Sequence, residues 1–134
     1  MTGEIVLQLF VSSDCKDTDF TAKLVDVYPD GTAYNLQTSV LRARYREGFT
    51  KPVFMSGNSE DVYALQIDLD ASSNYFEPGH RIRLQVSSSD FPLYERNLNT
   101  GGKNYDESTW LVARNAVHHS AEHPSRLILP IVSS

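Results

Sequence analysis

The stretch EIVLQLFVS at residues 4–12 repeats with a period of two, because every second side chain is apolar and the intervening ones are mixed. The wholly apolar set is Ile5, Leu7, Leu9 and Val11. Side chains alternate between the two faces of a β-strand, so the pattern predicts a strand with one face in a core. Residues 61–69 and 79–88 have the same period. The sequence therefore predicts a fold built from strands.

Turn sequences such as YPDG at residues 28–31 divide the chain into eight predicted strands. The strands are expected at residues 4–12, 19–28, 32–38, 39–47, 61–69, 79–88, 109–118 and 125–132. Pro130 lacks a backbone donor, so the last strand is expected at or near an edge. Residues 107–116 could also line a helix face, and residues 89–108 form the longest stretch without a pattern. Residues 1–134 are expected to form one all-β sandwich domain.

The apolar faces of these strands define a predicted core between two sheets. Its expected members are Phe20, Leu24, Leu65, Ile67, Ile82, Leu84, Val86, Leu127 and Leu129.

Composition excludes several classes of protein. The net charge of −5 and the pI of about 5.2 argue against a broad phosphate-binding surface, so no nucleic-acid partner is expected. No apolar run approaches the length of a membrane span, and residues 1–15 do not resemble a signal peptide. The single cysteine, Cys15, cannot form an internal disulfide, so a reducing, cytoplasmic location is expected, with Cys15 an inert loop thiol.

The sequence contains no recognisable catalytic or metal-binding motif. A serine nucleophile needs a sharp elbow of the type G-x-S-x-G, and the nearest approach, GNS at residues 57–59, is followed by Glu60. His118, His119, Glu122 and His123 cluster, but a solvated connection between strands is the simpler interpretation. We therefore expect no catalytic residue, no cofactor-binding residue and no metal ligand, and hence no cofactor.

Several polar residues still require an interpretation. Arg42, Arg44 and Arg46 form a basic stripe on one predicted strand face, expected to be solvated or paired across a domain interface. Asp19 and Asp26 are expected to cap turns or to pair with these arginines. His80, beside Gly79, is expected to be a turn residue. In the loop at 97–102, Asn97, Asn99 and Thr100 either face a neighbouring domain or satisfy each other in Asx-turns.

Longer stretches, taken in order, resemble the C-terminal domain of the CocE/NonD hydrolases. These are VSSD at 11–14, DTDFTAKLVDVYPDG at 17–31, RARYR at 42–46, YFEPGHRIR at 75–83, QVSSSDFP at 85–92, RNLNTGG at 96–102 and HPSRLILP at 123–130. The family includes cocaine esterases, α-amino-acid ester hydrolases and X-Pro dipeptidyl-peptidases. The resemblance covers nearly the whole chain.

The resemblance implies a jelly-roll, galactose-binding-like β-sandwich attached to a larger serine hydrolase. Its nucleophile, acid and base would lie in an upstream α/β-hydrolase domain, so this chain alone is expected to be inactive. The resemblance also implies packing against the hydrolase and cap domains, where the domain shapes and shields the active-site cleft, and homo-oligomer contacts. The substrate stays open among esters, β-lactam side chains and X-Pro peptides.

One departure from the family pattern bears on the fold. The family domain usually carries a further segment before Thr2, so this chain is expected to lack a strand or two and to expose a sheet edge. The alternatives to an accessory domain are an independent carbohydrate-binding module and an oligomerisation module, because fold alone does not fix function.

Overall fold

The computed structural model describes residues 2–48, 50–73, 76–88, 97, 99, 101 and 111–130. Seven strands are present in this part of the chain. They are β1 (Thr2–Ser13), β2 (Asp19–Val27), β3 (Ala33–Arg42), β4 (Tyr63–Ser73), β5 (Arg81–Ser87), β6 (Asn115–Val117) and β7 (Arg126–Ile128). A single 3-10 turn at Ala43–Tyr45 follows β3. No helix among these residues is long and apolar enough to cross a bilayer.

The strands form two antiparallel sheets. In the first, β1 lies in the middle, with β4 along one side and both β6 and β7 along the other. In the second, β2 lies between β3 and β5. Two sheets that face each other across an apolar core make a β-sandwich, so the all-β fold class is confirmed.

The core lies between the two sheets and follows the two-residue period. Its buried members are Ile5, Leu7, Leu9, Val11, Phe20, Ala22, Leu24, Leu41, Leu65, Ile67 and Leu69. Leu84, Val86, Leu127 and Leu129 are partly buried against them. These positions include eight of the nine predicted core residues.

Ile82 is the exception, since its side chain is 47% exposed rather than buried. It alternates correctly with Leu84 and Val86, but it pairs with Asp26 near the end of β2. Leu84 is the next residue of β5 on the same face. It lies closer to the core, where it pairs with the fully buried Leu24. The period therefore gave the correct face for Ile82, whereas burial depends on whether the opposite sheet reaches that row.

Three predicted strand boundaries were also wrong. The separate strands expected at 32–38 and 39–47 are one strand, β3, which gives way to the 3-10 turn at Ala43. The strand expected at 109–118 is reduced to β6, with residues 111–114 irregular and Trp110 outside the described residues. The last strand ends at Ile128, so Pro130 lies just beyond it.

Candidate functional site

Charged and amide side chains meet at one end of the sandwich and form a cluster that is largely shielded from solvent. This buried charge cluster consists of Asp17, Asp19, Arg42, Arg44 and Asn97. The residues come from the β1–β2 loop and the start of β2, from the end of β3 and the 3-10 turn, and from the loop expected at 97–102. The cluster therefore joins three segments that are distant in sequence.

Asp17 is the centre of the cluster. Its Oδ1 accepts the backbone N–H of Arg44 at 2.8 Å, and its Oδ2 accepts Nε of Arg44 at 2.7 Å. The amide Nδ2 of Asn97 lies 2.8 Å from Oδ2 of Asp17 and 2.8 Å from Oδ1 of Asp19. Arg42 Nε donates to Oδ1 of Asp19 at 3.0 Å. Each carboxylate thus has both an arginine and an amide partner.

These contacts explain why the charges tolerate burial. Removing an ion from water costs several kcal/mol, and only close, well-directed partners offset that cost. The balance is incomplete at Asp19, where burial raises the pKa of the carboxyl, while hydrogen bonds from Arg42 and Asn97 oppose the rise. The cluster is therefore suited to holding loops in place. It does not present an accessible acid or base.

The cluster corrects the interpretation of the arginine stripe. Arg44 is buried in the 3-10 turn and pairs with Asp17 of the same chain, so it does not lie on a solvated strand face. Arg46 donates from Nη1 to the carbonyl oxygens of Ala43 and Val53, and its guanidinium lies 4.6 Å from the centre of the Tyr63 ring. The expected pairing of Asp19 with the stripe is confirmed through Arg42.

The loop that supplies Asn97 satisfies its polar groups within the chain at the two described asparagines. The backbone N–H of Asn99 donates to Oδ1 of Asn97 at 2.9 Å, as in an Asx-turn. Nδ2 of Asn99 donates to the carbonyl oxygen of Leu111 at 2.9 Å. Thr100 lies outside the described residues. Of the two interpretations of this loop, these bonds favour the self-satisfied one.

Three exposed apolar side chains belong to segments that contact the loops of the cluster, and we term them the loop-end patch, namely Phe54, Leu111 and Val112. Val112 is 80% exposed. The Arg44 guanidinium lies 5.4 Å from the centre of the Phe54 ring, and Asn99 holds the carbonyl of Leu111. The backbone N–H of Arg114 donates to Oδ1 of Asp14 at 2.8 Å. The apolar surface is therefore anchored by the same loops that carry the charges.

Cys15 is buried, and its Sγ lies 3.9 Å from the carbonyl oxygen of Val112. Burial raises the pKa of its thiol, and the neighbouring Asp14 raises it further. A thiol with a raised pKa carries less of the reactive thiolate at neutral pH. This agrees with the interpretation of Cys15 as an inert residue.

Among the described residues, Ser12 and His118 make a contact that resembles a nucleophile and its base. Oγ of Ser12 lies 2.9 Å from Nε2 of His118. However, Ser12 is only 3% exposed and lies within β1, where a substrate cannot approach as it would at a strand–helix elbow. No carboxylate among the described residues hydrogen-bonds to the His118 ring. The geometry indicates a structural hydrogen bond between β1 and the residue that follows β6.

The other histidines of the 118–123 segment lie in the connection between β6 and β7. His119 pairs with Pro124 in an isolated bridge, and the His123 ring lies 5.5 Å from that of Phe10. Within the part of the chain that the structure covers, no three metal-ligating side chains are grouped around a common point.

His80 was expected to be a turn residue, and that prediction describes only part of its role. The turn is present, because the backbone N–H of His80 donates to the carbonyl oxygen of Glu77. In addition, Nδ1 of His80 lies 2.9 Å from Oδ1 of Asp26, and both side chains are largely buried. The suggested pairing of Asp26 with the arginine stripe was wrong, since Asp26 binds His80.

The carbohydrate-binding alternative requires coplanar exposed aromatic rings. Tyr28 and Tyr34 are exposed and adjacent, with ring centres 4.9 Å apart, but their planes are inclined by 50°. Such a pair does not offer a flat platform for a sugar ring.

Among the described residues, the cluster pairs its charged groups with one another and presents no accessible acid or base. Comparison with known families agrees. The chain belongs to the family described as the X-Pro dipeptidyl-peptidase C-terminal non-catalytic domain, whose model matches residues 1–128.

Known proteins similar to this chain include an esterase and a CocE/NonD family hydrolase. The chain is 49% identical over 134 residues to cocaine esterase from Rhodococcus sp. (strain MB1 Bresler), covering 98% of this chain and 23% of the esterase. Two crystal structures of a CocE/NonD family hydrolase from Staphylococcus aureus superpose with TM-scores of 0.75 and 0.77 at 20% identity. They cover 98% and 99% of this chain and 28% of the hydrolase.

The resemblance seen in the sequence is thereby confirmed. The chain is a non-catalytic C-terminal domain of the CocE/NonD hydrolase type, and it spans about a quarter of the length of the relatives it matches.

Proposed function

We propose that this chain is the accessory domain of a larger serine hydrolase and that it shapes and shields an active-site cleft. The nucleophile, acid and base belong in this proposal to an upstream α/β-hydrolase domain with a helical cap. The proposal is supported by the similarity to a cocaine esterase of which this chain covers 23%. We also propose that residues 1–134 act as one domain. A cytoplasmic location is part of the proposal, and it suits the free thiol of Cys15.

The loop-end patch backed by the buried charge cluster carries this proposal. Exposed apolar side chains that lie close together on a protein surface mark contact sites. Here the loops beneath them are already fixed by the bonds of Asp17 and Asn97, so little conformational entropy remains to be lost on contact. A rigid apolar surface without a reactive group suits a cleft wall.

The test is a charge placed in the patch of the full-length hydrolase. Val112→Asp should lower kcat/KM about tenfold, because a desolvated carboxylate without a partner would weaken the docked arrangement by about 1.4 kcal/mol or more. Ala121→Asp adds the same charge at an exposed position in the β6–β7 connection and serves as the matched control. Equal kcat/KM values for both variants and the unmodified enzyme would contradict the proposal.

We also propose that the isolated chain self-associates. An apolar groove of about 310 Å³ opens between the sheets, and Leu7, Leu84, Val86 and Leu127 line it. The net charge of −5 opposes association, but salt screens that repulsion beyond ~8–10 Å, whereas apolar burial acts at contact. Dimers should therefore appear as protein and salt concentrations rise.

Sedimentation velocity over a concentration series measures this directly. We expect a second, faster boundary at high protein concentration. We also expect a larger dimer fraction in 0.5 M NaCl than in 0.05 M NaCl, because the higher salt concentration shortens the Debye length to about one-third. A single monomer boundary up to millimolar protein in both buffers would rule out self-association.

A further inference from the structure

The second sheet extends its inner face beyond the core. Leu24 of β2 pairs with Leu84 of β5, and this row is packed into the sandwich. The next inward row has Asp26 in the middle, with Tyr34 of β3 on one side and Ile82 of β5 on the other. Tyr34 and Ile82 are 53% and 47% exposed. Within the described residues, this row therefore has an exposed apolar side chain on each side of the buried Asp26.

Tyr28 completes the exposed surface, which we term the tyrosine shelf: Tyr28, Tyr34 and Ile82. The Tyr28 ring lies 4.1 Å from the His80 ring, and His80 is held from below by Asp26. The turn after Tyr28 is closed by two backbone hydrogen bonds, Gly31 to Tyr28 and Tyr28 to Thr32. The shelf is thus rigid before any partner arrives, which reduces the entropy lost on binding.

The surroundings of the shelf are acidic. Asp30 and Glu77 are exposed, and Oε2 of Glu77 lies 3.7 Å from Nε2 of His80. Partial burial raises the pKa of Tyr28, and the charges of Asp26, Glu77 and Asp30 raise it further, together with the neighbouring Tyr34. Three carboxylates thus lie close enough to affect Tyr28, and two of them, Asp30 and Glu77, are exposed.

In the part of the chain that the structure describes, the two arginines beside Ile82 in sequence point away from the shelf. Arg81 and Arg83 flank Ile82 in β5, and successive side chains of a strand point to opposite faces. Both arginines therefore project from the outer face of the sheet, away from the shelf. The inner face is left with aromatic rings and carboxylates, and His80 is already paired with Asp26.

We propose that the tyrosine shelf is a docking surface for the hydrolase part of the same polypeptide, which lays an arginine or lysine side chain across Tyr28 and Tyr34 and against Glu77. Aromatic faces attract cations, and exposed tyrosines are enriched at the centres of protein interfaces. The partner is identified from the proposed function, on which this inference rests, and from the fact that the chain covers only 23% of its esterase relative.

Two other occupants fit the surface less well. A second copy of the shelf would bring Asp30 and Glu77 of one chain against the same residues of the other, and like charges in contact are unfavourable. A sugar would need parallel ring faces, whereas Tyr28 and Tyr34 are inclined by 50°.

Photo-crosslinking in the full-length polypeptide tests the proposal. We would replace Tyr34 with p-benzoylphenylalanine, irradiate the protein and identify the linked peptide by mass spectrometry. The expected partner peptide lies outside residues 1–134. The same analogue at Glu60, an exposed turn position, provides the control and should give no such link. Links from position 34 that are confined to residues 1–134, a link to a second copy, or no link at all would overturn the proposal.

A charge reversal tests the chemistry of the contact. Glu77→Lys should lower the yield of the position-34 link by roughly two- to fivefold, because the cation of the partner would meet a like charge. Glu60→Lys should leave the yield unchanged, and equal yields in both variants would overturn the cationic anchor. The outcome is separable from the cleft role. A position-34 link together with an unchanged kcat/KM in Val112→Asp would discard the cleft role alone. A lowered kcat/KM in Val112→Asp without a position-34 link would discard the docking surface alone.

Discussion

Replacing Asp17 with alanine is expected to lower the free energy of unfolding by roughly 3–5 kcal/mol, the usual effect of removing one partner of a buried ion pair. Asp17 is fully buried and accepts hydrogen bonds from the backbone and Nε of Arg44 and from Nδ2 of Asn97. Alanine would remove the carboxylate that accepts the backbone N–H and Nε of the largely buried Arg44. The loss would therefore exceed that of an ordinary hydrogen bond.

Urea unfolding of the 134-residue chain measures this change. Asp61→Ala is the matched control, because Asp61 is exposed and its contact with Ser56 is also exposed. The control should alter the unfolding free energy by no more than about 0.5 kcal/mol. A loss below about 1 kcal/mol for Asp17→Ala, similar to that of a surface residue, would show that the cluster does not hold the loops.

The value of the cluster lies in position more than in stability. Buried ion pairs can often be replaced by apolar side chains with little loss of stability. Asp17, Asp19 and Asn97 instead fix three segments at one end of the sandwich, and these segments contact Phe54 through Arg44 and Leu111 through Asn99. The proposed contact surface therefore depends on polar groups that no substrate would reach.

Much of the fold could be predicted from local alternation. In β1 and β2 the two-residue period identified strands and their inward faces correctly, because each residue in a strand has only two directions available. The resemblance to CocE/NonD hydrolases was carried by stretches that contain Asp17, Arg44 and Asn97. It did not reveal which of these residues bind one another.

The errors arose where contacts between distant segments decide the structure. The alternation of RARYR predicted a strand at 42–46, but Ala43 donates its N–H to Thr18 and Arg44 donates its N–H to Asp17. These bonds replace the bonds of a strand ladder and favour a 3-10 turn. The predicted burial of Ile82 was wrong for a related reason, since its burial depends on how far the facing sheet extends. Neither feature leaves a local signal.

The isolated chain is expected to hydrolyse neither p-nitrophenyl esters nor X-Pro amides. An efficient serine hydrolase needs an accessible nucleophile, a base oriented by an acid, and donors for the oxyanion. The nearest arrangement in the described residues, Ser12 with His118, has a buried hydroxyl in a regular strand. The expected difference between this chain and the full-length hydrolase is therefore the whole of the catalytic rate enhancement.

Fluorophosphonate labelling followed by peptide mass spectrometry tests this central claim most directly. Applied to the full-length polypeptide, the probe should modify a serine outside residues 1–134, and applied to the isolated chain it should modify none. Parallel ester turnover by the isolated chain should equal the buffer rate. Labelling of Ser12 or another serine of this chain, with saturable turnover that disappears in His118→Ala, would contradict the assignment of the chain as a non-catalytic domain.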